Sequence, residues 1–310
     1  MNIDLPNTTA SKINKALVQA RRANGSPAVG MVLNLVVVTD EENAHDAVKA
    51  ASDASREHPS RILAVIKRPT RGARRRGETR LDAEVQVGDD AGNAETVLLR
   101  LYGELTDHAD STVVPLLLPD TPVVVWWPVD APPAPAKDPL GALAQRRITD
   151  SYAVEEPLRE LAVRTTAYAP GDTDLAWTRL TPWRSMLAAG LDQARATVTS
   201  AVVESEADNP SAELLARWLT DRLQVPVRRV VTKGPVVTGV RLRTTDGEIV
   251  IDRPDGALAT LSIPHQPVRA LPLRVRSTAE LIAEELRRLD PDEAYAGALS
   301  TTAGELKNDV

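Results

Sequence analysis

The chain has 310 residues, 43% of them hydrophobic, and a formal charge of −6, enough for two domains with their own cores. The absence of cysteine excludes disulfides, thiolate metal sites, cysteine nucleophiles and thiol switches. The acidic balance offers no global attraction to nucleic acid or anionic membrane.

No Phe occurs beside five Trp and four Tyr, so the cores fall to Leu, Val, Ile and Ala. Met1-Asn2-Ile3-Asp4 is not followed by the apolar segment of a signal peptide. The first element expected is an amphipathic helix from about Thr9 to Ala23, stopped by Asn24-Gly25 and Pro27. Met31–Val38 is a β-branched apolar run and reads as a buried strand. Asp40 is placed to cap a helix running to about Arg56, with Ala44, Ala47, Val48 and Ala51 on one face. Arg61–Ile66 is the next strand, and the β-α-β order favours parallel pairing.

Leu81–Val87 and Glu95–Tyr102 read as an antiparallel pair about the turn Gly88-Asp89-Asp90-Ala91-Gly92. A helix is expected over Leu105–Leu118, then a buried strand at Val123–Trp127. Pro122–Trp127 is strand-length, far short of a membrane span, and a cytoplasmic protein is expected. The proline-rich stretch Pro128–Pro139 reads as a surface loop. Ile148–Tyr152 is expected to return to the sheet, and Pro157–Thr165 to be helical.

Thr181-Pro182 and Asn209-Pro210 open two further helices, each with Pro at its first positions. Trp183, Met186, Leu187 and Leu191 form the apolar stripe of the first, and Arg184 lies off it. Val198–Val203 lies between them as a strand. Five short strands follow from Val227 to Val275, with Asp246-Gly247 and Asp255-Gly256 supplying tight turns, and read as an antiparallel meander. Two helices end the chain, opened by Ser277 with Glu280 and by Asp290-Pro291-Asp292-Glu293. The fold class is α/β. An N-terminal domain on a mixed α/β sheet, residues 1–168, precedes a C-terminal α+β domain with an antiparallel meander, residues 169–310.

The search for catalytic chemistry is negative. His45, His58, His108 and His265 have no metal-ligand spacing. No nucleophile elbow or dinucleotide fingerprint occurs. Gly72-Ala-Arg-Arg-Arg-Gly77 is followed by Glu78 where a phosphate loop needs Lys. No catalytic residue, cofactor or metal is expected. The segment Lys67–Arg80 carries Arg71, Arg74, Arg75 and Arg76 against one acid, Glu78. It reads either as a solvated loop or as an anion site for a sugar phosphate or nucleotide. No aromatic is interleaved with the arginines, which argues against nucleic acid.

The tryptophans are the other signal. Trp126 and Trp127 end a strand and point to opposite faces. Trp177, Arg179, Trp183 and Arg184 crowd one short segment. Each ring reads either as core or as an interface anchor, where Trp and Arg are enriched.

At these residues the chain resembles a known family. His58-Pro-Ser-Arg61-Ile-Leu-Ala-Val65, Val114-Pro-Leu-Leu-Leu-Pro119 leading to Trp126-Trp127-Pro128, and Asp174-Leu-Ala-Trp177-Thr-Arg179-Leu-Thr-Pro-Trp183-Arg184 are similar to the OpcA family of glucose-6-phosphate dehydrogenase assembly proteins, of the actinobacterial type. The segment from Glu284 to Glu293 fits as well. The resemblance implies a non-catalytic partner of glucose-6-phosphate dehydrogenase that assists oligomer assembly and raises NADPH production in the oxidative pentose phosphate pathway. It implies neither a nucleic-acid nor a membrane partner. In the photosynthetic branch of the family cysteines connect activation to redox state, and this chain has none.

Overall fold

The structure is a computed structural model and describes residues 1–24, 30–68, 79–87, 95–301 and 307–308. The chain divides into two compact units, Met1–Asp150 with Thr278–Pro291, and Ser151–Ser277 with Asp292–Val310.

The first unit runs β1 (Asn2–Leu5), α1 (Ala10–Asn24), β2 (Leu33–Thr39), α2 (Ala44–Ala54) and β3 (Ser60–Arg68). It continues through β4 (Arg80–Val87), β5 (Glu95–Tyr102), α3 (Ala109–Val113), β6 (Val123–Trp126) and β7 (Arg146–Thr149). Its strands lie in the order β1-β4-β5-β3-β2-β6-β7. The pairs β2·β3, β3·β5, β2·β6 and β6·β7 are parallel, and β4 is antiparallel to both β1 and β5. All seven residues of β2 are buried. A central parallel strand covered on both faces needs apolar residues throughout, which is why β2 reads as one continuous run rather than an alternation. Val36, Val38, Leu63 and Val65 face the cluster that holds Ile13 and Leu17 of α1, and Ala64 and Ile66 pack with Ala44 of α2 on the other side.

Two expectations change here. The stretch Leu105–Leu118 is not one helix. Only α3 is α-helical, flanked by short 3₁₀ turns at Gly103–Thr106 and Val114–Leu116. Pro115 is the reason: it lacks the amide that would donate to the Ser111 carbonyl, so the α-helix closes at Val113 and the chain tightens into the 3₁₀ turn, although Val114 itself keeps helical φ and ψ. The helix expected from Asp40 starts at Ala44 instead. Asp40 Oδ1 accepts from the Asn43 amide at 2.7 Å and closes a turn ahead of the helix.

The second unit runs α4 (Pro157–Ala167), β8 (Asp172–Asp174), α5 (Leu175–Thr178), α6 (Thr181–Ala194), β9 (Val198–Ser205), α7 (Pro210–Leu223) and β10 (Val227–Val231). Then come β11 (Val237–Thr244), β12 (Gly247–Asp252), β13 (Leu258–Ser262) and β14 (Arg269–Pro272). Of the last helices, α8 (Thr278–Leu286) belongs to the first unit and α9 (Glu293–Ser300) to the second. A two-residue strand, β15 (Lys307–Asn308), edges β10. The sheet order is β14-β13-β12-β11-β9-β10-β15.

Four of the five strands expected in the meander form it, β11 to β14, all antiparallel. The fifth, β10, pairs in parallel with β9, and β9 inserts between β10 and β11. The helix between them dictates this. A strand followed by a 14-residue helix returns in the same direction. Asn209 caps that helix, its side chain accepting from the Ala212 amide at 2.8 Å. The β11–β12 hairpin turns at Gly247, whose φ of +134° is open to glycine and strained for other residues. α6 crosses this sheet closely at Gly190, where an added Cβ would meet Ile249 at 3.3 Å.

Candidate functional site

The segment carrying Trp177, Arg179, Trp183 and Arg184 is held from below by Asp174. This carboxylate is fully buried. It accepts from the Ala176 amide at 2.8 Å, capping α5, and from the Ser151 hydroxyl at 2.7 Å. A short helix entered from a fixed cap leaves its side chains little choice of direction.

Trp177 is 1% exposed. Its Nε1 donates to Asp292 Oδ2 at 2.8 Å, and its ring packs against Tyr295 with centroids 5.7 Å apart. Tyr295 meets Tyr168 edge-on at 6.0 Å. The Arg184 guanidinium lies over the Trp177 ring, 3.8 Å from its centroid, and donates to Thr181 Oγ1 at 3.0 Å. Asp292 is also the N-cap of α9, accepting from the amides of Ala294 and Tyr295. Burial works to raise its pKa. The bonds from Trp177 and the two amides, with the charge of Arg184, outweigh burial and hold the carboxyl below its ordinary value.

Trp183 is 2% exposed and shares the buried stripe of α6 with Leu187 and Gly190. The Arg253 guanidinium sits 5.0 Å from its ring centroid. Arg179 is half-buried and stacks 4.6 Å from the centroid of Tyr152. The Tyr152 hydroxyl is pushed up to about 12, chiefly by burial, so it stays a neutral phenol.

Trp126 and Trp127 are each 2% exposed. The strand alternation is as expected. Trp127 joins the apolar cluster of Val36 and Val65, whereas Trp126 sits in the ladder beside Val37 and Ile148 on the other face. The Trp126 Nε1 is buried with no hydrogen-bond partner among the described residues. Arg71, Arg74, Arg75 and Arg76 lie outside the described residues.

The structure therefore joins Trp177 with Arg184, Arg179 with Tyr152, and Trp183 with Arg253, and leaves the rings of Trp126, Trp127, Trp177 and Trp183 inside. Arg179 and Arg184 are the half-buried members of the cluster, each guanidinium on an aromatic footing. Arg184 is not separable from the core as its position off the apolar stripe implies, because it roofs Trp177. Sequence reasoning missed Asp292, Tyr295, Tyr152 and Arg253. Asp292 carried a readable signal as a helix start, but nothing local linked it to an indole 115 residues earlier. Among the described residues no group of three or more His, Asp or Glu has the geometry of a metal site, and no helix is long and apolar enough to cross a membrane.

These features define a two-unit α/β protein with buried tryptophans and an arginine–aromatic cluster as its candidate site. The chain belongs to the OpcA family of glucose-6-phosphate dehydrogenase assembly proteins. Residues 51–166 match the model of the glucose-6-phosphate dehydrogenase subunit N-terminal domain, and residues 170–299 that of the C-terminal domain. The role of the family is glucose-6-phosphate dehydrogenase assembly. No curated protein matches the chain. Among solved structures, an oxidoreductase from Sinorhizobium meliloti is similar at 14% identity and a TM-score of 0.42, over 87% of each chain. A structure from E. coli described as "Trehalose-6-phosphate … bound with UDP-2-fluoro glucose" is similar at 10% identity and a TM-score of 0.25, over 64% of each chain. Both likenesses are too slight to assign anything to this chain.

Proposed function

We propose that the chain is a non-catalytic factor that binds glucose-6-phosphate dehydrogenase directly in the cytoplasm, promotes its oligomer and activates it allosterically, raising NADPH output. The observation that carries this reading is the pair of family models, which together account for most of the chain. An activator has to bind the active state of its target more tightly than the inactive one, since equal affinity for both shifts nothing.

The proposed contact surface is the segment Trp177–Arg184. Arg184 and Arg179 present the charge, and Trp177 and Trp183 hold them in place. Trp126 and Trp127 come second, acting through the position of β6. Rigid guanidiniums beside apolar surface are the composition of binding hot spots, where truncation costs about 2 kcal/mol or more of affinity.

The test mixes purified chain with purified dehydrogenase, follows complex formation by sedimentation velocity and measures NADPH formation. The expected result is a faster-sedimenting complex and a higher rate. The chain alone, with glucose 6-phosphate and NADP, is expected to form no NADPH. Absence of both complex and rate change would overturn the proposal. Arg184→Met then tests the surface. Methionine keeps an apolar stem over Trp177 and removes the charge. Stability is expected to fall by about 1–2 kcal/mol, because the cation–π contact with Trp177 and the charge beside Asp292 are lost, so affinity is compared where the variant is fully folded; there it is expected to fall by about tenfold or more. Unchanged affinity removes Arg184 from the interface.

A further inference from the structure

The second unit holds a small cavity of about 40 Å³ whose lining contains Arg179, Arg253, Arg274 and Arg276 and no aspartate or glutamate. Four guanidiniums line this one space in a chain that is acidic as a whole.

Arg253 is the residue that demands an explanation. It is 4% exposed. Its two terminal nitrogens donate to the carbonyls of Leu273 at 3.0 Å and Val237 at 2.7 Å. Its Nε is buried without a hydrogen-bond partner, and it forms no ion pair among the described residues. Burial pulls its pKa below the ordinary value, but a guanidinium keeps its proton in a protein, so the charge stays, and its hydrogen bonds go to neutral carbonyls. Asp255 is the carboxylate whose charge reaches it. That group is exposed, engaged by the amides of Ala257 and Leu258, and absent from the cavity wall. A buried charge without a counter-charge is expensive.

The surroundings hold the donors ready. Arg253 lies against the Trp183 ring and Arg179 against Tyr152, while Arg276 donates to the Thr178 carbonyl. The 14-residue helix α6 starts at the cavity wall, next to Leu180 and Pro182. The N-terminal end of a helix adds to a positive potential. By the same measure a single water needs about 10–15 Å³, so the cavity has room for a group the size of a tetrahedral oxyanion. A carboxylate offers two oxygens, and a phosphate group offers three or four to a converging set of guanidiniums.

We propose that this cavity is an oxyanion site that takes a phosphate group, either free phosphate or the phosphate end of a monoester. The site goes beyond the proposed role in dehydrogenase assembly and does not depend on it, because its test uses the chain alone.

The experiment is isothermal titration of the full chain with inorganic phosphate against chloride at equal ionic strength, repeated with methyl phosphate and with acetate. Inorganic phosphate is expected to bind saturably at one site and to raise Tm along the same curve. Arg274→Glu reverses a charge in the wall at an exposed position, its fold checked by circular dichroism, and is expected to weaken binding by about tenfold or more. Equal binding of methyl phosphate assigns the site to monoesters, and its exclusion assigns it to the free ion; both support the proposal. Absence of saturable heat, equal response to acetate, or a Tm rise that is the same in Arg274→Glu would overturn it. The last result is the general salting-out effect of phosphate, which stabilises any fold.

Discussion

Trp177→Ala is expected to destabilise the second unit by about 3–5 kcal/mol, the range for a large aromatic truncated in a packed core. Three losses add up in this substitution. The indole leaves a cavity beside Tyr295, Arg184 loses the ring it lies on, and Asp292 loses the donor at 2.8 Å. Trp177→Phe separates them, since it retains a ring and deletes the N–H. That variant is expected to cost about 1–3 kcal/mol, the range for a buried acceptor left with one partner fewer. Urea denaturation followed by circular dichroism reads both. A Trp177→Ala chain within about 1 kcal/mol of the wild type would show that the cluster around Asp292 does not hold this unit together.

The contrast between what was legible before and after folding follows the range of each interaction. β2 and β6 were readable because a buried parallel strand writes its environment into consecutive residues. α7 was readable because Asn209-Pro210 is a local start signal. Pro115 was equally local and should have broken the helix expected over Leu105–Leu118, whose apolar spacing concealed it. The place of β10 was not local at all. The spacing that makes it a strand says nothing about whether it pairs with β9 or with β11. At the site, the residue types Trp and Arg drew attention by composition. Their partners Asp292, Tyr295 and Arg253 arrive from other elements, and no periodicity points from one to the other.

Glu95→Ala is expected to remove about 3–5 kcal/mol from the first unit, because it strips the counter-charge from two arginines, one of them buried. Glu95 on β5 receives both arms of Arg21 from the last turn of α1, with NH2 at 2.7 Å, and Arg61 NH2 from β3 at 2.8 Å. The side chains of Arg61 and Glu95 are 5% and 7% exposed. Arg61 also donates to the Leu116 carbonyl at 2.7 Å, so one carboxylate ties a helix, two strands and a loop. Burial by itself would raise the Glu95 pKa. The Arg21 hydrogen bond and then the charge and bonds of Arg61 outweigh it and hold the carboxyl below its ordinary value. The sign follows from that direction. Wild-type stability from this group is complete above the unfolded glutamate value of about 4.3 and is lost as pH falls through the lower folded one. The stability difference between wild type and Glu95→Ala is therefore expected to shrink on acidification. A difference that stays constant down to the acid transition would mean that Glu95 serves the fold as a shape and not as a charge.

The assignment of α8 to the first unit has a consequence for how the chain is made. Arg146 in β7 is bonded through Nε and NH2 to Glu285, and through NH1 to the Asp290 carbonyl at 2.9 Å. Glu285 is 139 residues further along, and nearly all of the second unit is translated between the two. The first unit begins to emerge first and is finished almost last. Until the ribosome has released that final stretch, a buried strand carries an unmatched guanidinium and α2 lacks the helix that packs on it. Residues 1–150 expressed by themselves lack the last helix of their own unit, and a stop codon ahead of Thr278 is expected to destabilise the N-terminal half as well as truncate the other.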